Sequence, residues 1–452
     1  MHHPAQENLK KVTEWLEAQN KGDLTEFLSQ QHPAEVAGII DFLPDSEKRE
    51  IFALLDAPSA TEVIVELSDY SLETVLEGLQ TSRVAEIVDE LPSDEATDII
   101  AELPAAQARE VLSRIDLEDS REVRILLRYD EDTAGGIMQL ELVAAKSSWT
   151  VAEAIDSIRA KRHEVENPMY VFVVGEENIL LGQLPLSRLI LADPLESMRV
   201  LMEPCPLVVE ADDDQEQVAI LFRRYDVMTA PVVDNKGRLL GRITIDDVMD
   251  VVEEEASEDF MRMAGAPESE TIHSYKAMKI SMLRLPWLLA NLFCGSLAGW
   301  IAWQFERTLH EAIFLVSFMP VVMAMGGNVG VQSSTIVVRG FATGELNNAN
   351  ISRLLFREFR VALILGISCG LTAGILAYVM HGRWTMGVVV FCSMLIGMTV
   401  AALWGAVSPA MFNKLKIDPA VAAGPVVTTT TDVISVIIYF SIATLFYRFW
   451  VG

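Results

Sequence analysis

The chain has 452 residues, 51% of them hydrophobic, and a formal net charge of −29. That length is enough for two or three domains, and the acidity excludes nucleic acid as a partner, because phosphates need a basic surface. The charge is unevenly spread: residues 1–283 carry 58 acidic against 25 basic side chains, whereas residues 284–452 carry 6 against 10. The front is anionic, with cations or basic surfaces as its natural counterparts, and the back reads as membrane. Four cysteines, Cys205, Cys294, Cys369 and Cys392, show no paired spacing and read as small buried hydrophobes. The N-terminus has no apolar stretch of signal-peptide type, so the acidic front is expected to stay in the cytosol.

Residues 24–127 repeat themselves. Leu43-Pro44, Leu91-Pro92 and Leu103-Pro104 each follow a short amphipathic segment, Leu67 takes the equivalent place without proline, and the leucines fall 24, 24 and 12 residues apart. Proline stops one helix and starts the next because it cannot donate the internal hydrogen bond. The pattern predicts an all-α superhelical domain over 1–130.

Over 131–255 the pattern changes to alternating strands and helices. Two stretches mirror each other: Tyr170-Val171-Phe172-Val173-Val174 leading to Leu180-Leu181-Gly182-Gln183-Leu184, and Ala230-Pro231-Val232-Val233 leading to Leu239-Leu240-Gly241-Arg242-Ile243-Thr244. Each reads as strand, tight turn, strand, helix. The pair resembles a tandem CBS domain, α/β in class. CBS pairs commonly bind adenine nucleotides between the copies, which makes Thr244 and Asp247 candidates to cap the ribose or phosphate of a nucleotide such as ATP. The other reading, that Thr244 caps the helix that follows, stays open.

A connecting helix is expected over 256–283, with Phe260, Met261, Met263 and Met278 as apolar contacts and a break at Ala264-Gly265-Ala266-Pro267. Over 284–452 five spans are predicted, at 286–305, 312–338, 361–380, 386–412 and 420–447, together forming a five-helix bundle. With the N-terminus inside, nine flanking lysines and arginines fall on the cytosolic side against Arg307, Arg383 and Arg448 outside, which puts the C-terminus outside. Trp300, Trp303, Trp384 and Trp450 fit an interfacial belt. The pairs Gly295/Gly299, Gly326/Gly330, Gly366/Gly370 and Gly370/Gly374 allow close helix contact.

Asp432 lies inside the last apolar stretch. A carboxylate at bilayer depth costs at least ~2.5 kcal/mol and survives only facing protein, water or a cation. It stands 12 residues past Ala420, hence roughly 18 Å along a helix and near mid-membrane. Thr428, Thr429, Thr430 and Thr431 add hydroxyls, and the stretch reads as a pore wall. The seven histidines are scattered outside the spans, and no Cys/His spacing offers a zinc or copper site.

Asp130-Glu131-Asp132-Thr133-Ala134-Gly135-Gly136-Ile137-Met138, Gly326-Gly327-Asn328-Val329-Gly330-Val331-Gln332-Ser333, and Asp418-Pro419-Ala420 through Gly424-Pro425 to Asp432 together resemble the MgtE family of magnesium channels. The resemblance covers nearly the whole chain in order, with one departure: Val331 stands where many members have a second asparagine. It implies a homodimer in the inner membrane whose two fifth spans bring paired copies of Asp432 to one Mg²⁺ pore, helped by backbone around Gly327, Asn328 and Pro425. Mg²⁺ prefers oxygen ligands and sheds water reluctantly, so carboxylates and carbonyls around a hydrated ion suit it. The resemblance also implies a connecting helix that plugs the cytosolic mouth, and regulatory Mg²⁺ bridging the acidic domains. The candidates are Glu62, Asp94, Glu95 and Asp98 on the N side, and Asp214, Glu216, Asp226, Asp247, Asp250, Glu255, Glu258 and Asp259 opposite; the bland reading of each is a solvated charge.

Two other classes stay open, a CBS-bearing transporter of another divalent cation and a membrane-anchored CBS sensor of metal or nucleotide. No nucleophile constellation, P-loop or acid–base carboxylate pair points to an enzyme.

Overall fold

The computed structural model describes all residues except 1–3, 161–164, 166, 267–276, 307–312, 347–349 and 452. They form two compact units, Met1–Val252 and Glu253–Gly452.

The first unit opens with ten helices: α1 (Pro4–Glu17), α2 (Lys21–Leu28), α3 (Pro33–Asp41), α4 (Asp45–Phe52), α5 (Ala57–Ile64), α6 (Asp69–Gly78), α7 (Thr81–Val88), α8 (Ser93–Glu102), α9 (Ala105–Val111) and α10 (Leu117–Leu126). Pro44, Pro92 and Pro104 stand at the residue before α4, α8 and α9, with φ of −64°, −52° and −53°. The ring fixes a φ that suits a helix start, and the missing N–H is one that a first turn leaves unpaired anyway. Alternate helices pack together, α3 on α5, α5 on α7, α7 on α9, α4 on α6 and α8 on α10, which makes a superhelix. Its core threads through Leu24, Ile40, Ile51, Phe52, Ile64 and Ile87, all buried.

The mirrored stretches form two three-stranded sheets. In the first, β1 (Ala144–Lys146) lies parallel to β2 (Tyr170–Val174), which pairs antiparallel with β3 (Leu180–Pro185). In the second, β4 (Val209–Glu210), β5 (Thr229–Val233) and β6 (Leu239–Thr244) repeat that order. The register shifts at Val173/Val174 and again at Val232/Val233, the equivalent place in each copy. Between and after the strands run α11 (Val151–Ala160), α12 (Leu186–Leu191), α13 (Met198–Leu201), α14 (Gln215–Tyr225) and α15 (Ile245–Ala264). The expected separate link from 256 is instead the continuation of α15, a single 20-residue helix. It stops at Ala264 because Gly265 turns to φ +70°; residues 267–276 of the expected link lie outside the described residues.

Among the described residues five helical segments are long and apolar enough to cross a membrane: span 1 (Ile280–Gln304), span 2 (Met319–Ala342), span 3 (Ile351–His381), span 4 (Trp384–Lys414) and span 5 (Pro419–Phe446). Span 5 is a 3₁₀ turn, Pro419–Ala422, followed by a helix from Pro425. Asp432 is therefore only seven residues into that helix, roughly 10 Å from its start at ~1.5 Å per residue. Within span 5 as a whole, Pro419–Phe446, Asp432 stands midway.

Glycine sets the spacing of spans 2 to 5. Added Cβ atoms would meet Val427 at 3.0 Å from Gly330, Leu395 at 3.0 Å from Gly366, Phe391 at 3.1 Å from Gly370 and Gly387 at 2.7 Å from Gly374. The closest approach is between spans 2 and 4, where a Cβ on Gly405 would collide with the Gly330 carbonyl. Gly295 and Gly299 meet nothing within 4 Å. Gly405→Ala is expected to destabilise the bundle by about 1–3 kcal/mol through overpacking, read as a lower melting temperature in detergent. Gly299→Ala, in open space, should leave that temperature unchanged or slightly raised.

Candidate ion pathway and acidic sites

Spans 2 and 5 line an open-sided cavity of about 500 Å³ bordered by Met319, Met323, Gly327, Asn328, Thr428 and Asp432 among others. Span 5 passes close to Gly327: a Cβ there would make ordinary contact, 3.7 Å from Thr428 Cγ2 and 4.0 Å from Asp432 Oδ1. The Asp432 carboxylate thus lies over bare backbone, with Asn328 exposed beside it. Val331 also lines this wall, so the departure at that position makes it less polar. Pro425 is not part of the lining; it starts the helix, and its Cγ would lie 2.6 Å from a Cβ on Gly265.

The threonine run does two jobs. Each of Thr428, Thr429, Thr430 and Thr431 donates its hydroxyl proton back to a carbonyl one turn earlier, at 2.6–3.1 Å for the four-residue bonds. Thr430 in turn accepts from Trp404 Nε1 of span 4 at 2.7 Å, and Tyr439 farther along donates to the Leu315 carbonyl at 2.8 Å. Span 5 is thereby fixed against span 4 and the turn before span 2.

In the first unit, the start of α8 meets the segment before β1. Glu141 accepts from Ser93 N at 2.9 Å and from Ser93 Oγ at 2.7 Å, and Gln139 exchanges backbone hydrogen bonds with Arg242 of β6 at 2.8 and 2.9 Å. Asp94 is buried here, and its Oδ1 has no hydrogen-bond partner. Burial, and then the Asp247 charge, push its carboxyl well above the usual range. Burial also raises Asp247, to about 6. Asp94 thus has an orphaned buried oxygen in the field of a second carboxylate. Arg242, itself buried, lies in the field of Glu141, Asp247 and Asp94. Glu141, Gln139 and Arg242 were not singled out from the sequence, because nothing in a single strand pattern shows that they meet α8.

Other acids in the first unit are spread out. Glu62, Asp98, Asp214, Asp226 and Asp250 are exposed, while Glu95 and Glu216 are half-buried. Asp214 caps α14 by accepting from Glu216 N at 3.0 Å and Gln217 N at 3.3 Å, and Asp226 ends the same helix at φ 54°. Thr244 donates to Asp247 Oδ2 from its backbone at 2.9 Å and from its hydroxyl at 2.6 Å, which is the helix-capping arrangement. Its hydroxyl proton is thus committed, leaving oxygen acceptors toward any ligand.

In the second unit, the end of α15 seats against the turn that opens span 5. Arg262 pairs with both Glu258 and Asp418, and Met263 packs on Val338, Ala420 and Ala423. A Cβ on Gly424 would collide with the Met263 carbonyl. Asp259 is raised to about 6 by burial, then by Asp418 and Glu255. Arg262 lies one turn past Glu258, a spacing that could have signalled the pair. Among the described residues no group of three or more His, Cys, Asp or Glu is placed to hold a metal.

Residues 319–442 match the MgtE family described as a divalent cation transporter, 31–132 match the MgtE intracellular N domain, and 198–254 match the CBS domain. The magnesium transporter MgtE of Bacillus subtilis (strain 168) is 37% identical over 324 residues, 72% of this chain and 72% of that protein. That of Thermus thermophilus is 36% identical over 325 residues, again 72% of each. The chain belongs to the MgtE family. It is thus a multi-pass membrane transporter with an intracellular N domain, not an enzyme. A solved MgtE structure, the cytosolic domain of the Mg²⁺ channel in complex with ATP, superposes with a TM-score of 0.51 at 34% identity, covering 54% of this chain and 99% of that one.

Proposed function

We propose that the chain is a Mg²⁺ channel for magnesium uptake, acting as a homodimer with its C-terminus outside and closed by feedback from cytosolic Mg²⁺. The observation that carries this reading is the Asp432 carboxylate, set over Gly327 in a cavity large enough for a hydrated ion. A strongly hydrated dication is suited by a single carboxylate and hydroxyl oxygens that receive its water shell, and not by a tight ligand cage. The relatives of known name are magnesium transporters, which supports the choice of ion.

The division into 1–130, 131–255, 256–283 and 284–452 then assigns sensing to the acidic front and conduction to the back. In the feedback, Mg²⁺ relieves repulsion at Asp94 and Asp247 and at Glu255, Glu258 and Asp259, with Glu62, Glu95, Asp98, Asp214, Glu216, Asp226 and Asp250 as further contributors. The solved relative with ATP supports a nucleotide at the CBS pair. Thr244 and Asp247 present acceptors there, which suit the hydroxyls of a ribose and repel a phosphate. The test is Mg²⁺ flux into proteoliposomes with lumenal Mg²⁺ varied. Flux that falls as Mg²⁺ rises on the cytosolic face supports the reading; no Mg²⁺ flux at any setting overturns it.

A further inference from the structure

Span 3 carries a buried carboxylate that the pore reading leaves unused. Glu358 is 4% exposed, and Ser333 of span 2 is 3% exposed. Ser333 Oγ donates to Glu358 Oε2 at 2.9 Å, while Arg357 Nε and Nη2 donate to Oε1 at 3.3 and 3.1 Å. The Arg357 side chain is 57% exposed, so its half of the arrangement is not enclosed by the protein. The buried half is the hydroxyl of span 2. Directly beside it Val337, Leu354 and Ala406 form a small apolar layer between spans 2, 3 and 4.

Position around span 2 gives this link its meaning. Gly327 and Asn328 face the cavity. At 3.6 residues per turn, Ser333 stands roughly 140° round the helix from Asn328 and roughly 120° the other way from Gly327. Ser333 is therefore on the back of the pore wall, diametrically away from the residues that face Asp432. On the cavity face Gly327 meets span 5 only at ordinary contact distance, 3.7 Å from Thr428 Cγ2, whereas Gly326 and Gly330 are packed against spans 4 and 5 on other faces. A polar tie on the back adds a directional constraint to that packing.

Building on the pore reading, we propose that Glu358 is a positioning residue for conduction: through Ser333 it fixes the rotation of span 2, and so the way Gly327 and Asn328 meet Asp432. The carboxylate touches no permeating ion. It acts as an acceptor for a hydroxyl that has no other buried partner across the helix boundary.

The experiment compares Glu358→Ala, Glu358→Gln, Ser333→Ala and Asp432→Ala, each reconstituted as the full chain and normalised to folded protein. It measures Mg²⁺ flux and the ratio of Mg²⁺ to Ca²⁺ flux. Glu358→Ala and Ser333→Ala are expected to lower Mg²⁺ flux by about tenfold and to reduce the ratio, the loss of a charge-assisted buried hydrogen bond. Glu358→Gln, which can still accept from Ser333, should retain both. An unchanged ratio in Glu358→Ala, whatever the yield of folded protein, overturns the proposal, because instability alone lowers flux without altering discrimination. Glu358→Gln matching Glu358→Ala overturns it too. If Asp432→Ala conducts as the parent does, the pore reading itself has failed; loss in Asp432→Ala beside an unchanged Glu358→Ala sinks only the positioning role.

Discussion

Asp432→Ala is expected to reduce Mg²⁺ flux at least about tenfold, with no loss of folded protein. At ~5 Å a charge of −1 and a charge of +2 attract by about 1.7 kcal/mol under bulk-water screening and about 6.6 kcal/mol at an effective dielectric near 20. Even the weaker figure exceeds the ~1.4 kcal/mol that one decade represents, and a dimer would lose two such charges. The side chain also lines open space beside Gly327, so its truncation leaves no packing defect. Asp432→Asn keeps the shape and removes only the charge, and should fall nearly as far. Uptake by cells lacking other Mg²⁺ transport, at matched expression, checks both; parental flux in the two variants would remove Asp432 from the mechanism.

The second large effect concerns pH and cytosolic Mg²⁺ together. Asp94 is raised well above, and Asp247 raised to about 6 from, a reference of 3.8. A carboxyl whose folded value lies above its unfolded one stabilises the folded arrangement fully below the unfolded value, and loses that contribution as pH rises through the folded one. For Asp247 the change of about two units corresponds to about 3 kcal/mol. In Mg²⁺-free buffer the junction of α8 with β6 and α15 should therefore resist protease best near pH 4 to 5, and yield as pH passes 6. Mg²⁺ binds the deprotonated pair, so millimolar Mg²⁺ should restore resistance strongly at pH 8 and add little at pH 5. Limited proteolysis of the full chain in detergent, with cleavage followed in the first 250 residues, reads this directly. Equal resistance at pH 5 and pH 8 without Mg²⁺ would remove the acidic pair from the regulation.

Much of the architecture is written locally, which is why the sequence alone reveals it. The Leu-Pro steps place helix starts in the superhelix because proline acts on its own backbone. The mirrored strand pairs are equally legible from alternating Val, Ile and Leu flanking short turns. The strands that complete each sheet, β1 and β4, are three and two residues long and carry no period to read. Span 3 shows how hydropathy can hide a buried carboxylate. Arg353, Arg357 and Arg360 around Glu358 make the segment look like a cytosolic flank, and only the buried face reveals that span 3 starts at Ile351. Asp432 itself was legible as an isolated charge among apolar residues. Its partners were less so: Gly327 and Asn328 stood in a recognisable motif, whereas the burial of Asp94 beside Asp247 depends on residues more than 150 positions apart, which no local pattern encodes.

The hydroxyls on span 5 carry a final implication about the sign of charge the cavity admits. Because Thr428 spends its proton on the Gly424 carbonyl, what it turns toward the water is an oxygen lone pair, and Asp432 next to it presents only lone pairs as well. A chloride or phosphate arriving along this side would find electron density facing electron density, with no hydrogen to receive it. An aqua-cation wears its hydrogens outward and meets acceptors along the span 5 side, so a bias against anions on that side is built into how a threonine settles its own backbone bond next to a carboxylate.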